Sequence, residues 1–155
     1  MDKTRADILD VEHPYKRSAQ IVINASAHKI FDVLADPRRH ADFDGSGTVK
    51  GTMSGPARLF LGATFGMHMN IRVSYRVLNT VREFEEGRLI AWSHFSGHRW
   101  RYELEPLSEG VTKVTETFDG SYARAPFILR WPGLLEGNAK AMAKTLVRLK
   151  EICQS

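Results

Sequence analysis

The last third of the chain sets the tightest limit on its fold. After strand-like segments through Asp119 comes a break at Pro132-Gly133, and one long amphipathic helix then runs to the C-terminus. Within it Leu135, Ala139, Met142, Leu146, Leu149 and Cys153 recur in steps of four, three, four, three and four, which places them on one helical face. A lone helix of this length following a large sheet has to bury that face against the sheet, so the sheet must curve around it. Such a sheet with a helix across its open side commonly encloses a pocket. The small residues Gly137, Ala139, Ala141 and Ala143 leave room beside the helix that larger side chains would fill.

Upstream, a first strand is expected over 18–24, where Ile21 and Ile23 alternate with Gln20 and Val22. Ser26 can cap a helix carrying Ile30, Phe31, Val33 and Leu34 on one face, and Asp36-Pro37 ends it and starts a second short helical turn. The glycine-rich passage from Asp44 to Gly47 leads into a strand over 48–53, followed by strands over 63–69, 71–84, 88–95, 99–105 and 111–119. Short turns at Glu86-Gly87, at 96–98 and at 108–110 can join only antiparallel neighbours. The expected class is therefore α+β: a curved antiparallel sheet of six to seven strands wrapped around the C-terminal helix, with two short helices after the first strand.

The 155 residues fit one domain, read as a polar lead-in over 1–17 and a single domain over 18–155. Hydrophobic residues at 43% and charged residues at 26% exclude disordered and fibrous classes. The only cysteine, Cys153, rules out an internal disulfide, and its place on the apolar stripe reads as packing. A charged N-terminal stretch without an apolar core, and the lack of any long apolar run, make the expected location cytoplasmic without stable membrane insertion. The net charge of +4 is spread over scattered arginines and one helical ridge, Lys140, Lys144 and Arg148, so no nucleic-acid partner is expected.

Several motifs fail on inspection. Asp42, Asp44 and Ser46 with Gly47 resemble the opening of a calcium loop, but Met53 stands where a bidentate glutamate is required. Gly45, Gly47 and Gly51 miss the spacing of a phosphate cradle and precede a strand rather than a helix. None of the six histidines, His13, His28, His40, His68, His94 and His98, forms a recognised ligand spacing, so neither metal nor cofactor is expected. No nucleophile elbow is present.

What remains is the inner face of the sheet. Alternation puts Trp100, Tyr102 and Leu104 on one side of their strand, and Val114, Glu116 and Phe118 on one side of the next. Glu116 is the odd member: flanked by Val114 and Phe118, its carboxylate points into an apolar interior, where desolvation raises its pKa unless a cation or a hydroxyl such as that of Tyr102 satisfies it. By the same parity Trp92 shares a face with His94, and Asn79 with Val77 and Val81. The candidate cavity residues are thus Asn79, Trp92, His94, Trp100, Tyr102, Glu116 and Phe118 from the sheet, with Leu135, Met142 and Leu146 from the helix.

Six segments carry a family resemblance: Ile21 to Pro37 (IVINASAHKIFDVLADP), Asp44 to Val49 (DGSGTV), Val81 to Phe84 before Gly87 to Trp92 (GRLIAW), Trp100 to Leu104 (WRYEL), and Val114 to Asp119 (VTETFD). Over about residues 18–152 the chain resembles the polyketide cyclase/dehydrase and lipid-transport family of the START-like superfamily, which shares its helix-grip fold with the birch pollen allergen. The resemblance implies a cavity between a concave sheet and the C-terminal helix, and it supports inward positions for Trp92, Trp100 and Tyr102. The family shares a scaffold but no universal catalytic signature, so it transfers no catalytic residue.

Three functions follow as expectations. The first is binding of a small or medium hydrophobic ligand, lipid-, sterol- or polyketide-like, by a monomer or homodimer. The second is a metal-free cyclase, aromatase or dehydratase, with Glu116 or His94 as base and Tyr102 as donor to an enolate oxygen. The third is an interaction or stress-related module whose contact is the ridge Lys140, Lys144 and Arg148, facing an acidic partner or membrane surface.

Overall fold

The computed structural model describes residues 5–155. Helix α3 (Leu134–Gln154) buries all six residues of the apolar stripe, joined by Thr145 and Lys150. It packs against one face of an eight-stranded antiparallel sheet, most extensively along β2 (Lys16–Ile23). The other strands are β1 (Asp7–Leu9), β3 (Val49–Ser54), β4 (Thr64–Ile71), β5 (Val73–Glu85), β6 (Leu89–Ser93), β7 (Arg99–Ser108) and β8 (Val111–Asp119), in the order β1-β2-β8-β7-β6-β5-β4-β3. Strands β3 to β8 form the expected meander. Strand β2 joins it beside β8, pairing Ala19 with Glu116 and Ile21 with Val114.

Irregular register in β3, β5 and β7 marks bulges, and a bulge bends and twists its strand. Helix α3 packs on β1, β2 and β8 rather than on β3 to β5.

Local chemistry accounts for the two short helices. Ser26 Oγ accepts from Lys29 N at 3.2 Å and caps α1 (Ala27–Leu34), which buries Ile30, Phe31, Val33 and Leu34. Asp36 then caps a 3₁₀ turn over Pro37–Arg39 by accepting from Arg38 N at 3.0 Å, and α2 (His40–Phe43) continues from it. This bracket closes one side of the interior.

Two expectations need correction. The sheet has eight strands rather than six or seven, because part of the expected lead-in forms β1, which pairs Asp7 with Gln20 and Leu9 with Ser18. A three-residue edge strand with Ile8 exposed and Leu9 half-buried is too short to show alternation. Second, β2 begins at Lys16, so residues 16 and 17 belong to the sheet. Among the described residues no helix is long and apolar enough to cross a membrane.

Candidate functional site

Tyr102 of β7 and Glu116 of β8 sit directly opposite each other in the ladder, so their side chains emerge on the same face. Both are buried, and the Tyr102 hydroxyl donates to Glu116 Oε1 at 2.8 Å. Glu116 Oε2 is also buried but has no partner among the described residues. Burial pushes the Glu116 carboxyl up to about 8, the charge of Asp44 adds to the rise, and the Tyr102 bond draws it partly back. Burial and the neighbouring Glu116 push the Tyr102 hydroxyl well above its ordinary value. Near neutral pH the pair is therefore uncharged. Because Oε1 accepts from Tyr102, the carboxyl proton rests on Oε2, which makes that atom a hydrogen-bond donor.

An aromatic stack backs this pair. Trp92 of β6 lies 5.4 Å from the Tyr102 ring and stacks on His40 of α2 at 4.5 Å with an interplanar angle of 22°. The His40 ring also meets Phe43 and Phe65, each at 5.2 Å. Burial lowers the His40 pKa to about 4, only partly offset by its bond to the Leu34 carbonyl. The ring is neutral, and Nε2–H donates to Leu34 O at 2.9 Å. Thus a histidine serves here as a flat aromatic wall, held in one tautomer by the end of α1.

These groups line a cavity of about 290 Å³ between sheet and helix. Its other walls are mainly apolar, with Phe65, Met67, Val77 and Met142 among them, while Ala141 and Thr145 form the helix side. The loop over 44–48 borders it and is tied to α3: Gly45 N donates to Thr145 Oγ1 at 2.8 Å, and Arg148 Nη1 donates to the Asp44 carbonyl. A Cβ on Gly45 would lie 2.5 Å from Thr145 N and 2.7 Å from Ala141 O, so only glycine lets the loop approach so closely. Asp44 locks its own turn, accepting from Ser46 Oγ at 2.8 Å and from Val49 N at 3.2 Å. The calcium-like carboxylate is a turn-former. No cluster of three or more metal-ligating side chains occurs among the described residues.

The sequence-derived candidates divide cleanly. Asn79, Trp92, His94, Trp100, Tyr102 and Glu116 line the cavity from the sheet, and Met142 lines it from α3. Phe118, Leu135 and Leu146 are buried but lie outside the lining. Phe118 has the right parity, yet the Trp100 ring at 4.9 Å and the His98 ring at 4.9 Å occupy the space beside it. Leu135 and Leu146 belong to the part of α3 that packs directly into the core.

His94 reaches the cavity without joining the Tyr102–Glu116 pair. Its Nδ1 lies 3.0 Å from Ser96 Oγ, which is in turn 2.8 Å from His98 Nδ1, so the two histidines close their own hairpin turn. Burial lowers the pKa of both, that of His98 to about 4. His40 and the loop over 44–48 were missed as wall-forming elements. A glycine next to Asp44 marks the loop in the sequence, whereas the helix bearing His40 spans only four residues.

Comparison with known proteins agrees with this architecture. An uncharacterised protein of Mycobacterium tuberculosis is 38% identical over 143 residues, which cover 89% of this chain and 64% of that protein. The chain thus spans less than two-thirds of the length of that relative. A solution structure of an Arthrobacter aurescens protein superposes with a TM-score of 0.74 at 12% identity, covering 96% of this chain and 91% of that one. A crystal structure of a Nitrosomonas europaea protein gives 0.71 at 13% identity, covering 93% and 97%. At such identities the two structures speak for the fold alone. The model of the polyketide cyclase/dehydrase and lipid-transport family matches residues 15–154, and the chain belongs to that family.

Proposed function

We propose that this protein binds a compact hydrophobic ligand carrying one hydrogen-bonding group, a carbonyl or a hydroxyl, in the cavity between sheet and α3. The observation that carries the reading is the buried Glu116 Oε2, a polar atom on a mainly apolar wall with no partner among the described residues. Leaving such a group unpaired costs about 1–3 kcal/mol, and a ligand oxygen placed there recovers that cost. A cavity of about 290 Å³ stands at the small end of ligand sites, which start at about 300 Å³, and suits a ring system or short chain. Thermal shift across a panel of short fatty acids, sterols and polyketide-like aromatics tests it. Stabilisation by carbonyl- or hydroxyl-bearing members supports the proposal, and a flat response across the whole panel counts against it.

A second reading, acid–base catalysis of the cyclase or dehydratase kind, draws on one further observation: the Glu116 pKa of about 8 lies close to working pH, beside a tyrosine donor. Here Glu116 would exchange a proton with a substrate carbon or hydroxyl, and Tyr102 would hold the carboxyl in place. A bound ligand that is recovered unchanged argues for carriage. Turnover abolished by Glu116→Gln argues for chemistry.

A further inference from the structure

The strand registers place several turns at one end of the molecule. Ser93 pairs with Thr80, Arg99 with Asp119, Val49 with Met69 and Ile71 with Val73. The β4–β5 tip, the β6–β7 turn, the start of β3 and the segment leading from β8 into α3 therefore share that end. The cavity opens there too, since Ser46, Ile71 and Asn138 border it and Ser46 and Ile71 are exposed.

The same end carries large apolar side chains that nothing covers. Phe95 and Trp131 are each 74% exposed and Phe127 is 71% exposed, with Ile71, Val73 and Ile128 more than half exposed around them. Phe95 and the segment bearing Phe127 and Trp131 lie side by side. Arg124 N donates to Ser96 O at 2.9 Å, which clamps the Phe95 turn to the segment that bears Phe127 and Trp131. Across 71–73, 94–99 and 120–131 the only charged residues are Arg72, Arg99, Arg124 and Arg130, with no carboxylate. The two neighbouring histidines, His94 and His98, are held towards their neutral forms by burial.

From this pairing of exposed aromatics with the exposed Arg72, Arg124 and Arg130, Arg99 being tied to Glu83 at 3.2 Å, we propose that this end docks on an anionic lipid bilayer, with the cavity mouth facing the membrane. Tryptophan and phenylalanine at the interfacial depth supply apolar burial, and arginines beside them are attracted to acidic headgroups. An acidic protein partner would match the arginines but would not call for flat aromatic projections on two separate segments. Docking needs no occupied cavity, so it stands or falls apart from the ligand reading above.

The test is co-sedimentation of the full chain with vesicles of pure phosphatidylcholine and with vesicles containing about one-third phosphatidylserine. The expected result is sedimentation with the acidic vesicles, weakened by salt, together with a blue shift of the Trp131 emission. Phe127→Ala/Trp131→Ala and, separately, Arg124→Glu/Arg130→Glu are each expected to lower vesicle partitioning by about tenfold or more while circular dichroism stays unchanged. Absence of sedimentation on acidic vesicles overturns the proposal, as does equal sedimentation of the variants. A concentration-dependent dimer that disappears in Phe127→Ala/Trp131→Ala, without vesicle binding, assigns the surface to a second copy of the chain and likewise overturns it.

Discussion

The Tyr102 hydroxyl donates to Glu116 Oε1 at 2.8 Å, which commits one carboxyl oxygen to the protein and leaves the other facing the cavity unpaired. Replacing Tyr102 by Phe removes the only bond to the carboxyl among the described residues while keeping the ring. The expected cost is about 1–3 kcal/mol in denaturant unfolding, and the Glu116 pKa rises further because the lost bond was lowering it. Urea titration and the pH-dependent carbon shift of the Glu116 carboxyl measure the two effects.

His40, His98 and Glu116 shape the dependence of stability on pH, with the lowered His94 acting in the same direction as the other two histidines. The folded values of His40 and His98 are about 4 against 6.5 unfolded, so their contribution is complete above 6.5 and is lost as pH falls through about 4. Glu116 runs the other way. Its folded value of about 8 against 4.5 unfolded gives a contribution that is complete below 4.5 and lost as pH rises through 8. Between 4.5 and 6.5 two histidines outweigh one carboxyl, and above 6.5 only Glu116 remains, so stability peaks near pH 6.5. Calorimetric melting of the wild type from pH 5 to 9 should show that peak, and Glu116→Gln should hold level above it. A wild-type melting temperature that climbs from 6.5 to 8 contradicts this assignment.

His40 links α2 to the sheet through Trp92, Phe65 and the Leu34 carbonyl. His40→Ala opens a gap in that stack and leaves the carbonyl without this bond, at an expected cost of about 2–4 kcal/mol. His40→Gln keeps a donor but loses the aromatic surface, and should fall between the two. Chemical denaturation ranks the three proteins.

Gly45→Ala forces the 44–48 loop away from α3, because the new methyl meets Thr145 N and Ala141 O. The expected loss is about 1–3 kcal/mol, with amide exchange rising first at position 45. Thr145→Val removes the hydroxyl that accepts from Gly45 N without a clash, and should cost about 1 kcal/mol. Ala141→Phe fills the cavity from its helix side and is expected to weaken ligand binding by at least about tenfold with little change in folding stability.

Much of this structure was legible in the residues themselves. The period of the C-terminal stripe set the helix and its buried face, and strand parity turned Glu116 inward, with Tyr102 or an arginine as its possible partner. Parity, however, says which face a side chain takes and not what fills the space in front of it. Phe118 shares the face of Glu116, yet His98 and Trp100 cover it, and those contacts depend on how the β6–β7 hairpin folds over. His40 was hidden for a related reason. Its four-residue helix is too short for a periodic signal, and its role as a wall arises only when α2 meets β6. β1 escaped because it borrows its stability from pairing with β2.

The most direct measurement is the carboxyl carbon signal of Glu116, followed by NMR while a ligand that stabilises the protein is titrated in. A carbonyl- or hydroxyl-bearing ligand is predicted to shift that signal and change its apparent pKa from about 8, with the binding weakened in Ala141→Phe. Saturating binding that leaves the Glu116 carboxyl unperturbed would contradict the account.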